Sequence, residues 1–321
     1  MNNAEFVYLL GMIVGKGIIV RYSKETEIRI EIPHKNLSTE DTDIVMSVKA
    51  SLLDIKNILE PLIDTRINVL SERRKTTLSF AKNNSDFLIR EINRYLQSEI
   101  SCQDFRIPED IFKSPTDIKK EFLAGLSDVT AHIRRSNNFL CKKGEPCYGH
   151  RVYIEIPKNW FLTIDIANLL LDLDIPVQTI NWGHPNTRDP NLRDYNVGRY
   201  NSWTREHQIK IFADEFEQVG FRIIHKMRML KLLADSNHQE WDRYVRNKIK
   251  NAKTESQRQK WEKKMGRLDL IHHRFYWQTK SFVKKKPVHP LENDKRIPDV
   301  LRGKHFDSWK EIAGILGYPR K

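Results

Sequence analysis

The chain repeats itself. Leu9-Leu10-Gly11-Met12-Ile13-Val14-Gly15-Lys16-Gly17 and Leu123-Ala124-Gly125-Leu126-Ser127-Asp128-Val129-Thr130-Ala131 stand 114 positions apart and read as two copies of one helix end. The likeness continues downstream. Glu27-Ile28-Arg29-Ile30-Glu31-Ile32-Pro33 and Arg151-Val152-Tyr153-Ile154-Glu155-Ile156-Pro157 both alternate apolar and polar residues and both end in Ile-Glu-Ile-Pro. Period-two alternation marks a half-buried strand. From Gly11 to Ile30 is 19 residues and from Gly125 to Ile154 is 29, so the second copy carries ten more. Those fit a longer hairpin loop around Asn137–Tyr148, where Gly144 and Pro146 supply turn chemistry. A motif, a strand and their order repeated together define two structural units.

Both motif copies resemble the LAGLIDADG sequence of the homing endonucleases, and the second keeps Leu123-Ala124-Gly125-Leu126 and Asp128 outright. The resemblance implies an α+β fold of two αββαββα repeats forming a pseudo-two-fold saddle over duplex DNA. It also implies that the motif helices pack side by side, with Gly11 and Gly125 at the close contact. The family's eighth motif position carries an acid that holds a divalent cation at the scissile phosphate; here those positions are Lys16 and Thr130. The sixth positions are Val14 and Asp128. A lysine repels the cation that an acid would hold, so two-metal hydrolysis has lost its expected ligands.

The apolar run Phe6–Val20 lacks the basic start of a secretory signal and falls short of the ~20 residues of a membrane span. Three cysteines in 321 residues argue against a disulfide framework and for a reducing cytoplasm. Charge is unevenly placed: residues 232–321 hold 22 Lys and Arg against 11 Asp and Glu, leaving +2 of the total +13 for residues 1–231. A basic segment on a nearly neutral body suits a polyanion partner.

These features divide the chain into a first repeat (1–104), a second (105–236) and a basic, mostly helical extension (237–321). Within the first repeat, Thr39–Leu62 reads as a helix, Thr65–Leu70 and Thr76–Ala81 as strands around Arg73-Arg74-Lys75, and Asp86–Gln97 as a helix. In the second, Thr116 or Asp117 would cap the motif helix. Trp160–Leu173 reads as a helix, Val177–Trp182 and Gln208–Phe212 as strands, and Asp214–Leu233 as the closing helix. Asn237–Asn251 and Thr254–Ile271 read as two helices of the extension, and Ser308–Leu316 as a short one capped by Asp307.

Strand parity assigns a DNA face. If Ile28, Ile30 and Ile32 pack on helices, Glu27, Arg29 and Glu31 point the other way, as do Arg151, Tyr153 and Glu155. Arg21, Lys24, Arg134 and Arg135 lie on or beside the strands leaving each motif. Mixed acids and arginines suit base edges, whereas purely basic faces suit phosphate. The polar stretch 183–200, with Arg188, Arg193 and Arg199, and the extension, with Arg243, Arg246 and Lys250, would add backbone contacts. Cys141, Cys147 and His150 form a cluster with irregular zinc spacing and no evident fourth ligand. The His272-His273 and Phe275–Trp277 stretch reads as an aromatic core.

Three functions stay open. The first is sequence-directed binding of double-stranded DNA by a monomer without cleavage at the motif site. The second is a Mg2+-dependent DNA endonuclease with relocated ligands drawn from Asp128, Glu31 or Glu155. The third is RNA binding, as in intron splicing.

Overall fold

Helix α1 (Ala4–Lys16) is apolar on every side, with Phe6 to Lys16 buried throughout, which requires a partner on each face. Glu5 in its first turn and Lys16 in its last complement the helix dipole. The β-branched run Ile18-Ile19-Val20 then turns the chain into a strand. In the computed structural model, residues 4–40, 43–97, 100–135, 149–157, 159–177, 179–185 and 205–265 are described. The first repeat comprises α1, β1 (Gly17–Arg21), β2 (Glu25–Pro33), the short α2 (His34–Leu37), α3 (Ile44–Ile63), β3 (Asn68–Ser71), β4 (Lys75–Asn83) and α4 (Phe87–Leu96). A connector with α5 (Glu109–Lys113) leads to the second. That repeat holds α6 (Thr116–Thr130), β5 (Ala131–Arg134), β6 (Arg151–Pro157), α7 (Trp160–Asp172), β7 (Thr179–Pro185), β8 (Arg205–Phe212) and α8 (Ala213–Phe216). Then come α9 (Ile224–Lys250) and α10 (Glu255–Glu262).

Each repeat builds one antiparallel four-stranded sheet, and the two have the same order: β1-β2-β4-β3 and β5-β6-β8-β7. The expected αββαββα pattern is therefore present twice, with α2 and α8 as short additions. On β2 the isoleucines Ile28, Ile30 and Ile32 are buried and Glu27, Arg29 and Glu31 are not, as parity requires.

The two sheets are joined at α1 and α6. A Cβ on Gly11 would overlap the carbonyl oxygen of Phe122, and a Cβ on Gly125 would overlap that of Tyr8. Tyr8 and Phe122 each stand three residues before their own motif glycine, so the contact is reciprocal, as a two-fold axis demands. No other side chain allows backbones this close.

Several local expectations shift. Helix α3 starts at Ile44, not Thr39, because the Asp43 carboxylate accepts from the amides of Val45 (2.9 Å) and Met46 (3.1 Å). Pro115, with no side-chain bond, caps α6; Thr116 and Asp117 lie within its first turn. Residues 214–233 and 237–251 are not two separate helices. After α8, one 27-residue helix α9 runs through Ser236-Asn237. Its buried residues Lys226, Leu230, Leu233, Ala234, Asn237, Trp241 and Val245 form one stripe. Asn237 stays inside because its side chain binds both backbone groups of His150 and the Asp214 carboxylate. Trp241, Val245 and Phe212 make a small second core with Tyr244, Ile249 and Trp261. The hairpin loop around 137–148, the loop 186–204 and everything after 265, including the His272-His273 cluster and Ser308–Leu316, lie outside the described residues.

Gly125→Ala tests the paired-helix contact. Its methyl group would meet backbone, which cannot rotate away, so a loss of at least the ~1–3 kcal/mol typical of overpacking is expected. Thermal melting checks it: an unchanged melting temperature for Gly125→Ala or Gly11→Ala would overturn the contact.

Candidate nucleic-acid interface

At the end of α1, Lys16 is buried. At the end of α6, Thr130 is fully buried and its hydroxyl donates to its own helix at Leu126 O, 2.7 Å. Neither motif helix presents a carboxylate at its eighth position.

Asp128, the acid retained from the motif and an expected metal ligand, is turned inward. It is fully buried. It accepts from the Tyr8 hydroxyl at 2.7 Å and from the amides of Arg222 (3.1 Å) and Ile223 (3.3 Å). The Lys226 ammonium stands 3.7 Å away and donates to the carbonyls of Ser127, Asp128 and Ala131. A cation here satisfies the free carbonyls at the C-terminus of α6 and its dipole. Burial pushes the Asp128 carboxyl up, opposed by Lys226 and Tyr8. Burial likewise pushes the Tyr8 hydroxyl well above its ordinary range, and Asp128 adds to the effect. Burial lowers Lys226 to about 8 against the pull of Asp128. This constellation holds the helix end together and keeps the Asp128 carboxylate fully buried among Tyr8, Lys226 and the amides of Arg222 and Ile223.

Glu155 also departs from expectation. It sits on the outward face of β6 by register, opposite Gln208, yet it is buried. Lys35, from α2 of the first repeat, donates to Glu155 at 2.6 Å and to Glu206 at 2.8 Å. Gln208 donates to Glu155 at 2.8 Å, and His132 Nδ1 lies 3.4 Å from it. Although burial works the other way, His132 and Lys35 hold the Glu155 carboxyl well below the usual range. Burial and the Glu155 charge raise that of Glu206. A lysine between two carboxylates does the neutralising that a divalent cation would otherwise do. Among the described residues no group of three or more His, Cys, Asp and Glu side chains is placed to hold a metal ion. The sequence reading missed Lys35, Glu206, His132, Gln208 and Lys226. The signal available was a break in the repeat: two residues after each Ile-Glu-Ile-Pro stand Lys35 in one copy and Asn159 in the other.

Glu31, the repeat-related partner of Glu155, is half-exposed and paired with Lys75 at 2.9 Å. Arg29 binds Glu27 at 2.6 Å on the same face. Lys24, Arg73 and Arg74 are exposed in the hairpin turns of the first sheet. Arg21 does not belong to this face. It pairs with Thr26, on the core side, and donates to Gln97 O (3.0 Å) and Asn93 (3.2 Å) at the C-terminus of α4. In the second repeat Arg134 and Arg151 face each other across β5 and β6 beside Tyr153, which is buried rather than open. Arg135 is exposed, its backbone amide on the Glu40 carboxylate. Arg243, Arg246 and Lys250 are exposed along one side of α9. Arg188, Arg193, Arg199, Cys141 and Cys147 lie outside the described residues, while His150 approaches Ser236 of α9 at 3.2 Å. No helix among the described residues is long and apolar enough to cross a membrane.

The fold defines a class: two αββαββα repeats paired through glycine-bearing helices. Among solved structures the chain is similar to LAGLIDADG homing endonucleases. For I-DmoI in complex with its target DNA in the presence of Mn, identity is 16%, coverage is 67% of this chain and 92% of the other, and the TM-score is 0.36. For the LAGLIDADG meganuclease I-AabMI bound to uncleaved DNA the values are 12%, 82%, 98% and 0.37. For an I-SmaMI mutant they are 9%, 82%, 97% and 0.37. No protein-family model and no curated protein matches the chain.

Lys226 gives a pH signature. Its folded value, about 8, lies below the ordinary 10.5. Between those values the unfolded chain binds the extra proton, so this group's contribution to stability rises with pH across the window, by up to ~1.4 kcal/mol per unit. Below pH 8 its full penalty is present. Compared with the Asp128→Asn/Lys226→Gln double variant, the wild type should gain stability from pH 8 to 10 in denaturant melts. Parallel curves would refute the buried ammonium.

Proposed function

We propose that this protein binds double-stranded DNA along the outward faces of its two sheets and does not hydrolyse it at the ends of α1 and α6. One observation carries the reading: Lys16 and Thr130 occupy the two helix ends, and the acids beside them are already neutralised by lysine. On the outward face of β2 each acid is paired with a base, Glu27 with Arg29 of the same strand and Glu31 with Lys75 of β4. Pairs of this kind can exchange partners for base edges, an acid accepting from cytosine and an arginine donating to guanine. Lys24, Arg73 and Arg74 in the turns and Arg243, Arg246 and Lys250 on α9 supply phosphate contacts around that face. The two repeats take the place of two subunits, so a single chain covers both halves of a site. As domains, 1–104 and 105–236 each supply a sheet, and the extension from 237 supplies charge.

The competing reading is a Mg2+-dependent endonuclease that uses Glu31. A magnesium ion there would first have to displace Lys75, and octahedral binding draws on several oxygens.

Two measurements test the proposal. Duplex affinity should fall steeply with salt, and Arg243→Gln/Arg246→Gln/Lys250→Gln should flatten the slope by roughly 0.9 for each phosphate no longer neutralised. Salt-insensitive binding, or preference for structured RNA over duplex in competition, would overturn it. Incubation of a randomised site library with Mg2+ or Mn2+ should leave it uncut. Cutting abolished by Glu31→Gln would make the protein an endonuclease.

A further inference from the structure

Strand register puts apolar side chains on the outward face of the first sheet. Val20 of β1 and Ala81 of β4 flank Glu27 on either side. Further along, Thr77 of β4 and Leu70 of β3 continue the row that begins at Glu31. Their strand neighbours Ile19, Leu78 and Phe80 are buried on the opposite side, as alternation requires. Leu70 is 64% exposed, Ala81 is exposed, and Val20 and Thr77 are half-buried. A single apolar residue on a surface needs no explanation. Here apolar groups come from three strands of one sheet and share one face. The charges among them are satisfied within that face, Arg29 by Glu27 at 2.6 Å and Glu31 by Lys75 at 2.9 Å. Exposed cations stand at both ends of the sheet: Lys24 in the turn from β1 to β2, and Arg73 and Arg74 in the turn from β3 to β4.

The second sheet is different at the matched positions. Setting Gly17 against Ala131 and Glu31 against Glu155 puts Val20 at the place of Arg134 and Glu27 at that of Arg151. By the same register Thr77 takes the place of Gln208, and Ser79 that of Lys210. Where the second repeat carries long hydrogen-bonding side chains, the first carries short or apolar ones.

We propose that Leu70, Ala81 and Val20 recognise thymine, by packing against its 5-methyl group in the major groove of the half-site under the first repeat. The inference rests on the duplex-binding reading. Cations at both ends of the face suit the phosphates that border a groove. Between those phosphates the base edges of the major groove present hydrogen-bonding groups and a single apolar one, the thymine methyl. An apolar side chain gains by covering that methyl, since both surfaces leave water. Against an amino or carbonyl group it would remove water and return no hydrogen bond. The first half-saddle thereby selects thymine by apolar contact, while the second offers side chains that hydrogen-bond.

The probes are two duplex libraries with a randomised central segment, one made with thymine and one with uracil, which pairs identically and lacks only the methyl group. The full chain should bind the thymine library more tightly, and the duplexes it selects should be rich in thymine in one half. In a selected duplex, uracil in that half should weaken binding roughly fourfold for each methyl lost. Uracil in the other half should leave affinity unchanged. Leu70→Ser/Ala81→Ser, altered at exposed positions, should melt with the wild type and bind thymine and uracil duplexes alike. Equal binding of both libraries by the wild type overturns the methyl contact and leaves duplex binding standing. Discrimination that persists in the double variant, or uracil costing as much in either half, overturns the assignment to the first sheet. Binding to neither library overturns the duplex reading itself. Sedimentation of the DNA-free chain adds one more outcome: a dimer that Leu70→Ser/Ala81→Ser dissociates would mean that a second copy covers this face, and it overturns the methyl contact.

Discussion

Everything in this molecule is positioned by the backbone-to-backbone contact between α1 and α6. Two glycines make it possible, and each lies against the residue three positions before the other. Helices this close fix both the distance and the rotation between the sheets, because a packed interface has few alternative registers. The strands that leave each helix, β1 and β5, inherit that geometry at once, since each strand begins at the residue that follows its helix. The placement of both sheet faces is thus set by two glycines buried between the helices.

The same contact explains what became of the retained acid. Asp128 belongs to α6 but is held by Tyr8 of α1 and by the amides and ammonium at the start of α9. It ties three helices together around a buried ion pair. Breaking such a pair by removing one partner typically costs ~3–5 kcal/mol. A carboxylate so used is part of the scaffold, and a motif letter preserved in the sequence need not preserve its chemistry.

The repeat, the strand parity of β2 and most elements were legible from residue order, because period-two alternation and the glycine-bearing helix ends are local signals. The continuous α9 was not, since Asp235-Ser236-Asn237 reads as a break until Asn237 is seen bonded to His150 and Asp214. The burial of Glu155 was not legible either. It depends on Lys35, 120 positions earlier, and on Glu206 and Gln208 from a different strand. Arg21 was misplaced for a parity reason available in the sequence: it lies an even step from Ile19, which points at the core. Residue order gives the face of a strand well, and the partners across a sheet or between repeats poorly.

Joining two repeats in one chain removes the constraint that symmetric subunits obey. In a homodimer each substitution appears on both halves, so Lys16 would face a second Lys16 and an arginine pair would occur twice. Here the halves have diverged at matched positions: Val20 and Glu27 against Arg134 and Arg151, Lys35 against Asn159, Lys16 against Thr130. The centre stays two-fold because the glycines require it, while the faces carry different charge. Lys35 shows how far this has gone, since a cation from one half neutralises two acids of the other. That bridge can form once in the molecule, because its acidic ends belong only to the second sheet: beside Glu31, the place of Glu206 is taken by Lys75. The asymmetry is therefore written into strand register, and it orients the molecule on any ligand that spans both halves.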